Sequence, residues 1–306
     1  MEDYNKIIES LGVKYNKSKT IKVIQTVTNE SYYDVENTIL LVNKGEIRFG
    51  KENSVVREGE VLFIPGGRSL SLTYGSGKPS KYSTDISSGK KDSFLQSIDY
   101  SEVSYTSQDN FSYLTFESKV FDSVNFFASL DIEPFTIQDE KISRIIRIIF
   151  EEGESQVAGG ERIVKINTEY LVVELIRYLI KNQLFVEQLA TNVTYFKDPR
   201  LISIFTFIKE NLDGDLSNKV LSNVANVSED YVGQYFKMLT GINPQDYIEY
   251  QRMERAVHLL RTSKRSIREI GREVGYKDTA YFCRRFKMMF GIPAGKMRKR
   301  ESLINL

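Results

Sequence analysis

The chain has 306 residues, 41% hydrophobic and 27% charged, with one cysteine and one histidine. That length holds about two domains, each able to bury a core, and the ordinary globular composition excludes a mainly disordered chain. A single Cys excludes an internal disulfide, and one Cys with one His leaves no donor set for a zinc site, so no metal and no cofactor is expected. The net charge of +1 conceals a split. From Arg200 onward there are 19 Lys+Arg against 12 Asp+Glu, and between Arg252 and Arg300 there are 15 against 4. An acidic body with a basic C-terminal part is the footprint of a polyanion binder, a solvated charged face being the alternative.

Met1 to Lys6 has no charged-then-apolar signal pattern, and Tyr170–Ile180, the most apolar stretch, is too short to span a bilayer. A reducing, cytoplasmic compartment and no membrane contact are expected. Residues 1–135 read as short strands. Thr38–Val42, a turn at Gly45, and Ile47–Phe49 form one pair; Val61–Ile64 and Ser69–Tyr74 follow, separated by turn signals. Such spacing predicts a sandwich or barrel. Residues 76–93, rich in Ser, Gly and Lys, read as a mobile loop. Phe49, Phe63, Tyr74 and Tyr82 are candidates to line a ligand pocket, with plain barrel core as the alternative.

Residues 136–197 read as a helical linker. Ile142, Ile145, Ile146 and Ile149 recur at helical spacing, Glu151–Glu161 reads as a loop, and Ile163–Leu184 reads as a helix with Ile166, Tyr170, Val173, Ile176 and Ile180 on one side. The pair is either a dimer seam or packing against the barrel. Asp198-Pro199 marks the next boundary.

Residues 198–300 contain an approximate repeat. Tyr231, Phe236, Lys237 and Gly241 return as Tyr281, Phe286, Lys287 and Gly291. Each copy begins with a short helix (Leu221–Ala225, Ile267–Val274), then a turn whose Ser228 or Asp278 suits an N-cap, then a second helix ending at the glycine. That is the helix-turn-helix pattern, present twice. Val232, Phe236 and Leu239 share one face, as do Phe282, Phe286 and Met289. Opposite them fall Asp230, Gln234 and Lys237 in the first copy, and Ala280, Arg284 and Lys287 in the second. With Ser228, Lys277 and Thr279 at the helix starts, these are the candidate DNA-binding residues. Arg grips guanine O6 and N7, Gln suits adenine, and a terminal Lys suits phosphate. The first copy, with Asp230 and Gly233, is the poorer partner for DNA.

Residues 200–300 resemble the DNA-binding domain of the AraC/XylS family of bacterial transcription regulators. The resemblance is carried by Arg252-Met253-Glu254-Arg255-Ala256-Val257-His258-Leu259-Leu260, Ser266-Ile267-Arg268-Glu269-Ile270-Gly271, Val274-Gly275-Tyr276-Lys277-Asp278, Tyr281-Phe282, Phe286-Lys287 and Gly291-Ile292-Pro293. It implies two helix-turn-helix units on a long helix at about 244–261, entering successive major grooves of double-stranded DNA, with RNA polymerase as a partner. Gly45-Glu46, Gly59, Pro65 and Gly67 resemble the turns of a cupin-like sensor domain, and residues 140–185 the family's dimerisation helices. The resemblance departs at Ser222, Gly271, Ile292 and Met297, which touch packing or caps.

The fold class expected is therefore α+β: a cupin-like barrel or sandwich, a helical linker, and an all-α domain with two helix-turn-helix units. The function expected is a sequence-specific, dimeric transcription activator answering a signal in residues 1–135. The signal is either a small-molecule effector or a protein partner. A cupin-type enzyme or binder with an appended DNA module is the alternative, disfavoured because the first half has no His. No catalytic residue is expected: His258 reads as structural, and Cys283 as an inert thiol or a redox switch.

Overall fold

The computed structural model describes residues 5, 8–9, 11–82, 93–120, 124–130, 132–155, 157–185, 198–240, 243–290 and 292–299. Two compact units result. One holds Val13–Ser118 and Ile132–Leu184; the other holds Phe185–Arg300, with Met1–Gly12 and Lys119–Asp131 counted to it.

The first unit is built on two sheets. The strands are β1 (Leu11–Val23), β2 (Val27–Tyr33), β3 (Asn37–Lys44), β4 (Glu46–Phe49), β5 (Ser54–Arg57), β6 (Val61–Ile64), β7 (Ser69–Tyr74), β8 (Ser80–Tyr82), β9 (Leu95–Ile98), β10 (Asn110–Val120), β11 (Val124–Asn125) and β12 (Phe135–Ile137), of which β11 and the ends of β1 and β10 fall in the segments counted to the other unit. One sheet runs β12-β6-β3-β10-β1-β9, with β11 on the end of β10; the other runs β5-β4-β7-β2-β8. The apolar run of β3 shows why it is central. Leu40 and Val42 join Leu62, Ile64, Leu72, Tyr74 and Phe111 in the core between the sheets. Ile39 and Leu41 alternate to the opposite face and are equally buried, as a strand covered on both sides requires. Part of the stretch expected to be a loop is strand: Ser80–Tyr82 pairs in parallel with β2, Val27 opposite Ser80. Residues 83–92 lie outside the described residues.

A short helix, α1 (Phe126–Ser129), precedes the helix pair α2 (Glu140–Glu154) and α3 (Gly160–Lys181). Asp139 caps α2, accepting from the Ile142 N–H at 3.1 Å. Ile142, Ile145, Ile146, Ile149 and Phe150 are its buried face, so the isoleucine spacing marks the helix correctly. Glu151–Glu154, expected in a loop, continue it instead. Gly153 is tolerated there because α2 passes close to β1: a Cβ at that position would stand 3.1 Å from Ser18 Oγ. In α3 the expected side is divided. Val164, Thr168, Leu171, Leu175, Ile176 and Leu179 are buried, Val173 and Ile180 are half-buried, and Ile166 and Tyr170 are exposed, because the covered stripe follows the packing of neighbouring elements rather than the most apolar residues.

The second unit is helical: α4 (Pro199–Glu210), α5 (Asn218–Ala225), α6 (Glu229–Thr240), α7 (Pro244–Thr262), α8 (Ile267–Glu273), α9 (Thr279–Phe290) and α10 (Ala294–Lys299). Pro occupies the first turn of both α4 and α7, where its missing N–H costs nothing. The long α7 matches the expected linking helix. Among the described residues no helix is long and apolar enough to cross a membrane.

Candidate nucleic-acid interface

The two halves of the helical unit turn their chains in the same way. At the end of α5, Asn226 takes a left-handed conformation (φ +56°), and the N–H groups of Asn226 and Val227 donate to the carbonyls of Asn223 and Ser222. At the end of α8, Gly275 has φ +87°, and Gly275 and Tyr276 donate to Arg272 and Gly271. Each is a helix end closed by one left-handed residue. The second turn is one residue longer, by Lys277, before Asp278 caps α9 by accepting from the Tyr281 N–H at 2.5 Å. In the first copy the Ser228 carbonyl receives the Tyr231 and Val232 N–H groups. The departures Ser222 and Gly271 both serve close packing. A Cβ on Gly271 would stand 3.3 Å from the Phe282 ring, and buried Ser222 turns its hydroxyl back to the Lys219 carbonyl at 2.8 Å. The glycines expected to end the second helices, Gly241 and Gly291, lie outside the described residues, as does Arg300.

Burial separates two faces on each second helix. Val232, Tyr235 and Phe236 are buried in α6, and Phe282, Phe286 and Phe290 in α9. Met289, expected on the core face, is half-buried, because Phe290 takes the inward position against Phe286 with ring centroids 4.5 Å apart. The expected outward residues Asp230, Gln234, Lys237, Ala280, Arg284 and Lys287 are all exposed, as are Ser228 and Lys277; Thr279 is half-buried. Each helix therefore presents a continuous outward stripe.

Each stripe also holds an aromatic residue, which the sequence marks only through the repeat. Tyr231 and Tyr281 occupy matched positions and are 43% and 48% exposed. The Arg284 guanidinium lies over the Tyr281 ring, 5.9 Å from its centroid, which restricts the reach of a long cation. An aromatic repeated beside a polar stripe is the signal that could have identified them.

The inward attachments differ. In the first copy, Arg200 covers the buried Tyr235 ring at 4.7 Å and pairs with Asp198 at 2.9 Å. That guanidinium holds the Asp198 carboxyl down at about 2. At the position matching Tyr235 stands Arg285, whose Nε donates to Glu249 Oε1 at 2.5 Å while its terminal nitrogen reaches Oε2. In the tail, Met297 is core and Arg298 donates to the Arg265 carbonyl.

The aromatic candidates of the first unit are divided. Tyr74 stacks on Phe111 at 4.9 Å inside the sandwich, with Phe49 packed beside that core. Phe63 points to the opposite face, between Phe116 and Phe135, because it alternates with Leu62 and Ile64. The Tyr82 side chain lies outside the described residues. His258 is exposed and Cys283 half-buried. Among the described residues no group of three or more His, Cys, Asp or Glu is placed to hold a metal ion.

With this geometry in hand, residues 221–300 match the helix-turn-helix domain family. An uncharacterized HTH-type transcriptional regulator of Haemophilus influenzae is 22% identical over 271 residues, 86% of each chain. The lactose operon transcription activator of Staphylococcus xylosus is 31% identical over 99 residues, 32% of this chain and 36% of that one. The fold is similar to that of ToxT from Vibrio cholerae O395, with a TM-score of 0.52 and 11% identity over 97% of this chain and 98% of that one.

Proposed function

We propose, for a chain that is a helix-turn-helix transcription regulator of the AraC/XylS type, that α9 is its principal reading helix and α6 an auxiliary one. The observation that carries this is the pair of matched exposed stripes, of which only the second is basic in its surroundings. Arg284 takes a guanine edge, Gln234 an adenine or a water, and Lys237, Lys277 and Lys287 take phosphates. Ser228, Thr279 and the small Ala280 let the helix starts approach the duplex, and Asp230 limits the first helix.

Residues 1–135, with a cupin-like sandwich, receive the signal, and residues 136–197 join copies into a homodimer. Exposed Ile163, Ile166 and Tyr170 on α3 support that seam, since their burial in a partner would remove apolar surface from water. The protein acts in the cytoplasm as an activator that contacts RNA polymerase, without cofactor, metal or catalysis. A small-molecule effector is the first reading of the signal, and a protein partner the second.

The test is selection of duplex DNA from a random pool by the full-length protein, followed by footprinting. The expected result is two protected segments in successive major grooves on one side of the duplex. Recovery of no preferred sequence would refute the reading. Sedimentation of the Ile166→Glu variant checks the dimer, and mass spectrometry of ligand extracted from purified protein separates a small-molecule effector from a protein one.

A further inference from the structure

A single side chain touches both helix-turn-helix units. Arg252, on α7, donates from Nε to the Leu212 carbonyl at 2.8 Å and from a terminal nitrogen to the Gly214 carbonyl at 3.0 Å. Those carbonyls belong to the loop that leads into α5. The same guanidinium lies 5.9 Å from the ring centroid of Tyr276, in the turn before α9. The turn and the loop are in direct contact there. A Cβ on Gly275 would stand 2.6 Å from the Leu212 oxygen and 2.7 Å from Arg252 Cζ. The connection continues inward: the Tyr276 hydroxyl donates to Glu249 Oε1 at 3.5 Å, and Glu249 holds Arg285 on α9. Beside the joint lies a cleft of about 730 Å³, lined by Asp213, Asp215, Arg272 and Lys277 among others. This side of the boundary is thus not closed by apolar packing, and directed hydrogen bonds tie the units together.

We propose that Arg252 is a positioning residue that fixes the separation of the two recognition helices, so that the protein selects DNA sites by the number of base pairs between the two segments it reads. The physical reason is the pitch of the duplex. At about 10.5 base pairs per turn of about 34 Å, one inserted base pair moves a segment by roughly 3 Å and 34°. A rigid pair of helices meets only one spacing without strain; a loosened pair meets several. Arg suits the task because its planar fork serves two carbonyls and a ring face at once, which an ammonium cannot. The inference rests on the reading that both α6 and α9 contact DNA, but the rigidity it requires can be measured without DNA.

The experiment uses the full-length chain with Cys283→Ser and nitroxide labels at the exposed positions Asn223→Cys and Arg268→Cys, one in each unit. With Arg252 present, the distance between labels should be narrowly distributed; with Arg252→Gln or Arg252→Lys it should broaden. The second arm takes DNA that the parent protein selects from a random pool, and adds or removes one base pair between the protected segments. The parent should lose affinity on the scale of a mismatched site, about 10–100-fold. The variants should lose several-fold less. Equal distance widths in folded variants, or an unchanged spacing penalty, overturns the proposal. If Arg252→Gln fails to fold by circular dichroism, Arg252→Lys decides. A pool that yields no preferred DNA counts against the proposed function, and the distance arm then decides the joint.

Discussion

The two helix-turn-helix units share a backbone and differ in chemistry. Both close the first helix with a left-handed residue, both bury an aromatic at Phe236 or Phe286, and both expose a tyrosine at 231 or 281. Yet residues 200–251 carry 4 basic and 7 acidic residues, whereas 252–300 carry 15 and 4. The inward position that is Tyr235 in one is Arg285 in the other. The lesson is that the fully buried aromatic, Phe236 or Phe286, is held by packing that both copies need, while the positions around it, inward as well as outward, are free to change charge. A duplicated scaffold thereby holds one half that is strongly basic and one that is net acidic.

The largest expected contrast is at the turns. Gly275→Ala combines a left-handed backbone with a Cβ pressed against the Leu212 carbonyl, and should destabilise the helical unit by about 2–4 kcal/mol. Asn226→Gly, at the matched turn, should change stability by no more than about 0.5 kcal/mol, since both residues adopt that conformation. Urea unfolding followed by circular dichroism measures both. Equal costs would mean that the second turn is not braced against the Leu212 loop.

The next contrast is in reading. Arg284→Ala should cost about 1–3 kcal/mol on selected DNA and relax preference at one base pair. Gln234→Ala should cost less, because its neighbours supply little positive field. Gel-shift titrations on selected and scrambled duplexes compare them. If Gln234→Ala abolishes specificity while Arg284→Ala preserves it, the order of the two helices is reversed.

A smaller effect separates phosphate contact from base contact. Lys287→Ala should weaken binding to selected and scrambled DNA alike, and reduce the salt slope by about 0.9. Lys237→Ala should reduce it by less. Binding at two or more salt concentrations checks this, and an unchanged slope for Lys287→Ala would remove that lysine from the backbone contacts.

The smallest effect concerns the attachment of α4. Asp198 is held at about 2 by Arg200, below the ordinary aspartate value. Its carboxylate is therefore stabilised by folding at neutral pH. That contribution is complete above an unfolded pKa near 4 and is lost as pH falls through about 2. Asp198→Asn, which preserves helix capping, should lower stability slightly at pH 7, and the difference from the parent should vanish toward pH 2. A difference that grows on acidification would reverse the sign and exclude the pairing as its source.

Much of the exposed stripe on each second helix was legible before the fold. The 3.6-residue period placed Gln234, Lys237, Arg284 and Lys287 outward, because a helix with one aromatic core position has little freedom in what faces away from it. Tyr231 and Tyr281 were harder to assign: a tyrosine at helical spacing reads as core as readily as surface, and only the position of neighbouring helices distinguishes them. The α3 side was left between two roles for the same reason. Ile166 and Tyr170 are apolar enough to be core, but α2 lies on the Leu171–Leu175 side. The strands β1 and β10 carried little signal, since β1 is lysine-rich and half-exposed and its pairing partners are distant in sequence.

Local order thus decided most of the helices, several of their ends and the charge asymmetry. A strand of alternating apolar residues, a Pro in a first turn and a left-handed glycine each act through backbone sterics or burial period, which are written into neighbouring residues. Tertiary structure decided which of two apolar faces is covered, that Phe63 parts company with Tyr74, and that Arg252 meets both Leu212 and Tyr276. Those outcomes depend on groups about 25–40 positions apart in the chain or more, and a contact of that kind is set by three-dimensional packing rather than by the period of any one segment.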